Sequence, residues 1–251
     1  MTLKLAIPSK GRLKEQTEEF FASAGWPVEG LGGARGYQAR IAGLDAVEVR
    51  LLSASEISEG VLSGELHAGI TGEDLLREQA GDLERIAFLL APLGFGRADL
   101  VVAVPRAWLD VETMADIDDV GARMEARDGR KLRVATKYVR SARRFFTAEG
   151  VGHYRIIESA GATEGAPAAG TADIVVDITT TGATLASNGL KILGDGLILA
   201  SQAQLVVSLG AVWSPESLNA LRVLAQGIEK KAERPVGRFD RFVAVLNETR
   251  A

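Results

Sequence analysis

Cysteine is absent from this 251-residue chain, which excludes disulfides, thiolate zinc sites, iron–sulfur clusters and cysteine nucleophiles. Histidine is scarce: His67 and His153 are the two present, so a multi-histidine metal cage is excluded and no protein-held metal is expected. No run approaches 18 consecutive apolar residues, and the opening Met-Thr-Leu-Lys-Leu-Ala-Ile-Pro has no secretory apolar region. The expectation is a cytoplasmic protein that does not enter a membrane. An excess of basic charge is missing too. Lys and Arg number 29 against 33 Asp and Glu, a net charge of -4 that argues against a general nucleic-acid coat. What remains, 47% hydrophobic and 25% charged, is an ordinary globular composition of one or two domains.

The dominant pattern is a short apolar run, a Gly-containing loop and then a helical stretch. Leu3–Ile7 reads as a strand and Ser9-Lys10-Gly11-Arg12 as a loop; Leu13, Thr17, Phe20, Phe21 and Ala24 then recur at helical spacing before Gly25. Leu132–Ala135, Thr136-Lys137-Tyr138 and Ser141–Glu149 repeat that order. Strands alternating with helices predict an α/β fold with mainly parallel sheets. Residues 68–76 and 174–185 share a second plan, a strand, a Gly turn and a helix start, about a hundred residues apart. Each half then holds a strand–basic loop–helix unit followed by a strand–Gly loop–helix unit. Two similar lobes facing a cleft, hinged near Ala91–Gly96, would follow; so would the ordinary echoes of any α/β chain.

Four loops could carry chemistry. In Asp177-Ile-Thr-Thr-Thr-Gly-Ala-Thr-Leu185 an apolar strand delivers a carboxylate to a hydroxyl-rich turn that opens a helix. Gly182 lets backbone approach a ligand, amide N–H groups can cup an anion, and Thr180, Thr181 and Thr184 add hydroxyl donors. Such a loop suits a ribose 5′-phosphate, with the acid on the ribose hydroxyls, and it resembles the phosphoribosyl diphosphate (PRPP) loop of phosphoribosyltransferases; a Thr-capped helix after a core strand is the plain alternative. Ser9–Arg12 places two cations beside a glycine without the spacing of a P-loop. Arg123–Glu149 holds nine basic and three acidic residues, which reads as a solvated face or as a site for a small polyanion. Nucleic acid is disfavoured, because no aromatic stacking platform accompanies the charge. Arg35, in the Gly-rich segment Gly30–Gly36, could grip a departing pyrophosphate or lie on a surface loop.

Taken in order, Ile7-Pro-Ser-Lys-Gly-Arg-Leu13, Gly69-Ile-Thr-Gly-Glu-Asp74, Leu93-Gly-Phe-Gly96, Arg133-Val-Ala-Thr-Lys-Tyr138, Arg143-Arg-Phe-Phe146 and the run from Ala172 to Leu190 resemble the ATP phosphoribosyltransferase family over roughly residues 3–205. That family opens histidine biosynthesis. The resemblance implies two periplasmic-binding-protein-like lobes around a central cleft, spanning residues 1–92 with 187–211 and residues 93–186, plus a helical tail over 212–251. It implies the reaction ATP + PRPP → N1-(5-phosphoribosyl)-ATP + pyrophosphate, with substrate-bound Mg²⁺. Carried over by motif, Glu164, Asp177, Thr180, Thr181, Gly182, Ala183 and Thr184 bind PRPP. Lys10, Gly11, Arg12, Arg50, His67 and Thr71 bind ATP, with His67 standing where the family has an acid near the purine. Arg12 and Arg35 are the implied catalytic residues. Competing readings are a two-lobed cytoplasmic binding protein for a phosphorylated molecule and a phosphoribosyltransferase for another base.

The last expectation concerns the tail. Ser214-Pro215 would open a helix, and Leu218, Leu221, Ala225, Ile228 and Ala232 form one apolar seam, docked either on its own lobe or on another subunit. With about 38 residues after Trp213, the chain is expected to resemble the short form of the family. That form works as a homodimer within a hetero-oligomer containing a regulatory subunit resembling histidyl-tRNA synthetase.

Overall fold

The computed structural model describes residues 2–31, 37–232 and 238–250. The chain divides into two compact units, residues 1–96 with 202–251 and residues 97–201. In the first unit β1 (Leu3–Pro8), α1 (Gly11–Ser23), β2 (Val28–Leu31), β3 (Gln38–Ile41), β4 (Val47–Leu52), α2 (Ala54–Ser63), β5 (Ala68–Gly72), α3 (Glu73–Gln79) and β6 (Ala87–Pro92) follow in order. The second unit carries β7 (Ala98–Pro105), α4 (Met114–Asp128), β8 (Leu132–Thr136), α5 (Val139–Ala148), β9 (Tyr154–Glu158), β10 (Ile174–Thr179), α6 (Ala183–Ser187) and β11 (Leu190–Ser201). The chain then returns to the first unit as β12 (Ala203–Ser208), α7 (Pro215–Ala232) and α8 (Arg238–Arg250).

The first sheet has the order β2-β3-β4-β1-β5-β12-β6 and the second β11-β7-β10-β8-β9. The α/β class is as expected, but both sheets are mixed rather than mainly parallel. β4, β1 and β5 are parallel neighbours, as are β10, β8 and β9; every other pairing among the described residues is antiparallel. The cause is visible at the crossings. β7 and β12 each enter a sheet directly from the other unit, with no helix to reverse their direction, so they run against their neighbours.

β1 is buried on both faces. Leu3, Leu5 and Ile7 pack with Phe21 of α1 and with Leu221, Leu224 and Ile228 of α7, while Ala6 faces Ile57 and Val61 of α2. Each such aliphatic side chain contributes about 1.5–3 kcal/mol on leaving water. α2 starts with a capping box, Ser53 Oγ accepting the Glu56 N–H while the Glu56 carboxylate accepts the Ser53 N–H. In the second unit Leu100, Val102, Val104, Leu132, Val134, Ile174 and Val176 pack under α4 and α5 with Ile117, Ala142 and Phe146. On the far face Val101, Ala103, Ala135 and Val175 meet Leu185 of α6.

Two features differ from the sequence expectation. Residues 187–201 belong to the second unit rather than the first, because β11 is laid antiparallel along β7. The tail is part of the first unit: Phe242 of α8 stacks edge-on against Trp213 at 5.3 Å between centroids, and Arg238 donates to the Leu89 carbonyl of β6. The seam of α7 is thus spent on its own unit, as Leu221, Ala225 and Ile228 are buried there. β11 itself is irregular. Its pairing with β7 shifts register between Ile192 and Leu197 and again by Leu199, and in the gap Asp195 caps α4 with both carboxylate oxygens on the Met114 N–H, at 2.9 and 3.1 Å.

Candidate active site

In the second unit the parallel run β10-β8-β9 brings three strand C-termini to one end of the sheet. The segments gathered there are Lys137-Tyr138 after β8, the stretch 159–165 after β9 with a short 3-10 turn at Thr163–Gly165, and Thr180–Gly182 after β10. Glu164 sits in that turn, which packs on β10. Asp177 is half-buried in β10, and its carboxyl is pushed above the usual range. Burial is the main cause; the Ile178 N–H and Lys137 oppose it, and Glu164 adds to it. Two acids and a cation therefore share one small region beside the Thr loop.

The loop has a defined conformation. Gly182 adopts φ +74, a left-handed conformation that glycine alone adopts at low cost. The Gly182 N–H donates to Thr179 Oγ1 at 2.8 Å and the Ala183 N–H to Thr181 Oγ1 at 3.3 Å. Thr180, Thr181, Ala183 and Thr184 are exposed. Hydroxyl and amide donors of this kind, next to a glycine that lets backbone come close, suit a tetrahedral anion, and Thr179 and Thr181 orient two of the amide N–H groups.

In the first unit β4, β1 and β5 likewise end together, gathering residues 9–12, 53–54 and 71–73. Lys10 is the N-cap residue of α1, Gly11 has φ +73, and Lys10, Gly11 and Arg12 are all exposed. Thr71 is fully buried, and its hydroxyl donates to the Ala54 carbonyl at 3.2 Å. That side chain fastens two loops together rather than facing a ligand.

Two residues expected at the ATP site lie elsewhere. His67 precedes β5, at the opposite end from Thr71 and about 13 Å away by the rise of a strand. It is 5% exposed, its Nδ1 accepts the Lys4 N–H, its Nε2 donates to the Val212 carbonyl, and Trp213 packs on its ring. Both ring nitrogens are used, so it is a core histidine, and burial lowers its pKa. Arg50, in β4, is held by Glu48 at 2.9 Å and reaches toward Glu65, which precedes β5 at that same far end. Arg35 falls outside the described residues.

The basic stretch 123–149 is dispersed. Arg130 and Arg133 both bind Asp173, whose carboxyl lies at about 2: burial opposes its charge but is outweighed by those guanidinium hydrogen bonds and the Arg133 N–H. Asp173 precedes β10, so this cluster belongs to the end of the sheet away from the Thr loop. An open groove of about 820 Å³ along Trp108, Leu109 and α4 also follows the C-terminus of β7, at that away end. Lys137, which acts on Asp177, and Thr179, which accepts the Gly182 N–H, also stand at this strand end and are not marked by motif spacing. Each is the residue at or just after a strand end, and that placement was the available signal.

Comparison with known proteins identifies the family and the fold. The sequence model of the family described as HisG: ATP phosphoribosyltransferase matches residues 53–229. An ATP phosphoribosyltransferase of Caulobacter vibrioides (strain NA1000 / CB15N) is 63% identical over 226 residues, 90% of this chain and 71% of that protein. One from Rhodopseudomonas palustris (strain BisB18) is 57% identical over 228 residues, 91% of this chain and 70% of that protein. Nearly three tenths of each relative thus lies outside the match. Among solved structures, a chain of the ATP phosphoribosyl transferase (HisG:HisZ) complex from Thermotoga maritima superposes with a TM-score of 0.67 at 27% identity, over 91% of this chain and 98% of that one. A histidine kinase sensor domain similar to periplasmic binding proteins shares the fold at a TM-score of 0.50 and 15% identity, over 99% of this chain and 94% of that one. With a family match over most of its length and relatives above 50% identity, the chain belongs to the ATP phosphoribosyltransferase family and is a transferase.

Proposed function

We propose that the chain joins N1 of ATP to the ribose C1 of PRPP with release of pyrophosphate, as the first step of histidine biosynthesis. The observation that carries this reading is the grouping of Asp177, Glu164 and Lys137 beside the Thr loop of the second unit. Thr180, Thr181, Gly182, Ala183 and Thr184 take the 5′-phosphate. Asp177, whose pKa is raised mainly by burial, and Glu164 beside it accept hydrogen bonds from the ribose hydroxyls. Lys10, Gly11 and Arg12 meet the polyphosphate of ATP, and Arg12 and Arg35 stabilise departing pyrophosphate.

Adenine N1 carries its own lone pair, so no general base is required to start. The N1–C1 bond forms as the C1–O bond to pyrophosphate breaks, and the electron pair leaves with pyrophosphate. What the protein supplies is alignment and charge stabilisation. Mg²⁺ prefers phosphate oxygens, waters and one or two carboxylates, a donor set that Glu164 and Asp177 match beside the Thr loop. Bound to PRPP, the ion would neutralise charge on the leaving group.

The homologous Thermotoga chain is matched over nearly its whole length and stands in a HisG:HisZ complex, which supports a regulatory subunit resembling histidyl-tRNA synthetase as this chain's partner. A homodimer within that hetero-oligomer is the assembly we propose. No helix among the described residues is long and apolar enough to cross a membrane; the proposed biosynthetic role carries a cytoplasmic location with it.

Mixing the chain with ATP, PRPP and Mg²⁺, with and without the partner, should release pyrophosphate and yield N1-phosphoribosyl-ATP. Binding without pyrophosphate release, in both mixtures, would turn the reading toward a binding protein. Release with a different base in place of ATP would make it another phosphoribosyltransferase.

A further inference from the structure

The backbone passes between the units twice, after Gly96 and before Gln202. On the side of the first unit these two crossings are laced to each other. The Leu93 N–H donates to the Ala203 carbonyl and the Ala203 N–H to the Phe95 carbonyl, both at 3.0 Å. Gly94, at φ +81, turns its own N–H onto Gln202 Oε1 at 3.2 Å. Gly96 lies so close to Leu13 of α1 and to Ala203 that a Cβ there would come within 2.9 Å of Leu13 Cδ1. The outgoing crossing is thus pinned between the returning one and α1, the helix that carries Arg12 in its first turn.

Gln202 does one thing more. Its carbonyl accepts the Glu73 N–H at 3.2 Å, and two residues on, Gln204 Nε2 donates to the Glu73 carboxylate at 2.9 Å. Glu73 opens α3 directly after Thr71-Gly72, at the strand end where the nucleotide is proposed to bind. One residue therefore touches three things: the nucleotide-side turn through its backbone, the outgoing crossing through its side chain, and the returning crossing of which it is part. Gln202 thus bonds both the 71–73 turn and Gly94, just before the crossing into β7, whose Asp99 pairs with Thr179 at the end of β10.

We infer that Gln202 is a positioning residue that couples ATP binding in the first unit to PRPP binding in the second. This rests on the proposed reading that ATP binds at the strand end where Lys10–Arg12 and the 71–73 turn gather and that the Thr loop holds PRPP. The coupling acts through the Glu73 and Gly94 N–H groups, not through contact with either substrate. By linkage, whatever factor PRPP adds to ATP affinity, ATP adds to PRPP affinity, and couplings between sites commonly run about 5–150-fold.

The test measures calorimetric affinity for 1-deaza-ATP, which lacks the reacting nitrogen, with and without saturating PRPP and Mg²⁺. In the unaltered chain PRPP should tighten 1-deaza-ATP binding. Gln202→Met keeps the side-chain length but removes the acceptor; it should bind each ligand alone as the unaltered chain does, while the factor between them falls toward one. Gln202→Glu, whose carboxylate still accepts the Gly94 N–H, should restore the factor. An undiminished factor in Gln202→Met overturns the inference, and so does a factor of one in the unaltered chain, or an equal loss of both single-ligand affinities. Pyrophosphate release by the unaltered chain is measured alongside. If it is present while the factor is one, the coupling role alone fails; if release and binding are both absent, the proposed activity fails with it.

Discussion

The two units build their loops on the same plan and use them differently. In each, a strand followed by a basic loop lies parallel beside a strand followed by a Gly loop: β1 beside β5, and β8 beside β10. In the first unit much of the polar chemistry at the strand ends is turned inward. Ser53 and Glu56 cap α2, Thr71 binds Ala54, and Glu73 is held by Arg77 and Gln204. In the second unit the Thr loop is exposed, and a carboxylate beside it is raised by burial and a neighbouring acid. The same backbone plan thus serves as a rigid frame carrying an exposed Lys10–Arg12 turn in one case and as an exposed Thr loop, proposed to receive a small anion, in the other. Residue type alone does not separate the two uses, since both hold threonine, glycine and acid in similar order.

The sharpest way to break this comparison is at Gly182. A β-branched side chain at φ +74 costs about 1–2 kcal/mol of backbone strain and stands in the proposed phosphate path. Gly182→Val should abolish PRPP binding in calorimetry while circular dichroism shows a folded chain; full affinity in a folded variant would remove the loop from the site. Next in size is Arg12→Ala, expected to slow single-turnover chemistry by about 10²–10³ with a smaller change in substrate affinity. Arg35→Ala is expected to behave alike.

Asp173 tests whether the other end of the second sheet is structural. Its pKa of about 2 against the ordinary 3.8 means that its ion pairs contribute stability that is fully present above pH 3.8 and lost as pH falls toward 2, about 2 kcal/mol in all. Asp173→Asn should lower neutral-pH stability by that order, flatten the acid limb of a stability–pH curve, and leave PRPP affinity unchanged. Smaller again, Thr71→Val removes one buried hydrogen bond worth about 0.5–1.5 kcal/mol and should spare substrate affinity. Thr181→Val should do the reverse, weakening PRPP binding without lowering the melting temperature. The smallest effect is that of His67. Burial depresses its pKa, so the unfolded chain takes up the proton first and stability declines as pH drops below about 6.5, until the folded-state value is reached. In denaturant titrations His67→Gln should lack that decline.

Much of this was legible in sequence. The alternation of apolar runs with Gly loops gave the α/β class, and the ordered motifs gave the family, because both are local patterns. The seam at Leu221, Ala225 and Ile228 marked α7 in the same way, although whether it packs in cis depended on Trp213, Phe239 and Phe242 arriving from elsewhere. Strand direction was not legible: β7 and β12 run antiparallel because of where the chain crosses, a property of topology rather than of any residue. His67 and Arg50 were misplaced for a related reason. A strand carries residues at both its ends, and sequence proximity to Thr71 or Ser53 does not say at which end a side chain finds its partners. Lys137 was passed over because its importance lies in β8 being the neighbour of β10.

The register shifts of β11 bear on how this chain keeps company with itself. Twelve residues long and at the margin of its sheet, β11 carries Ile192 and Leu197 outward at 41% and 51% exposure, features that would invite a strand from another molecule. The break between them interrupts the regular row of backbone donors and acceptors such a strand would need, and it sets a carboxylate, Asp195, in the middle of the run. The cap on α4 anchors that break in place. An irregularity that fixes a helix on one side thus leaves, on the other, an apolar edge with which a strand from another molecule would pair poorly.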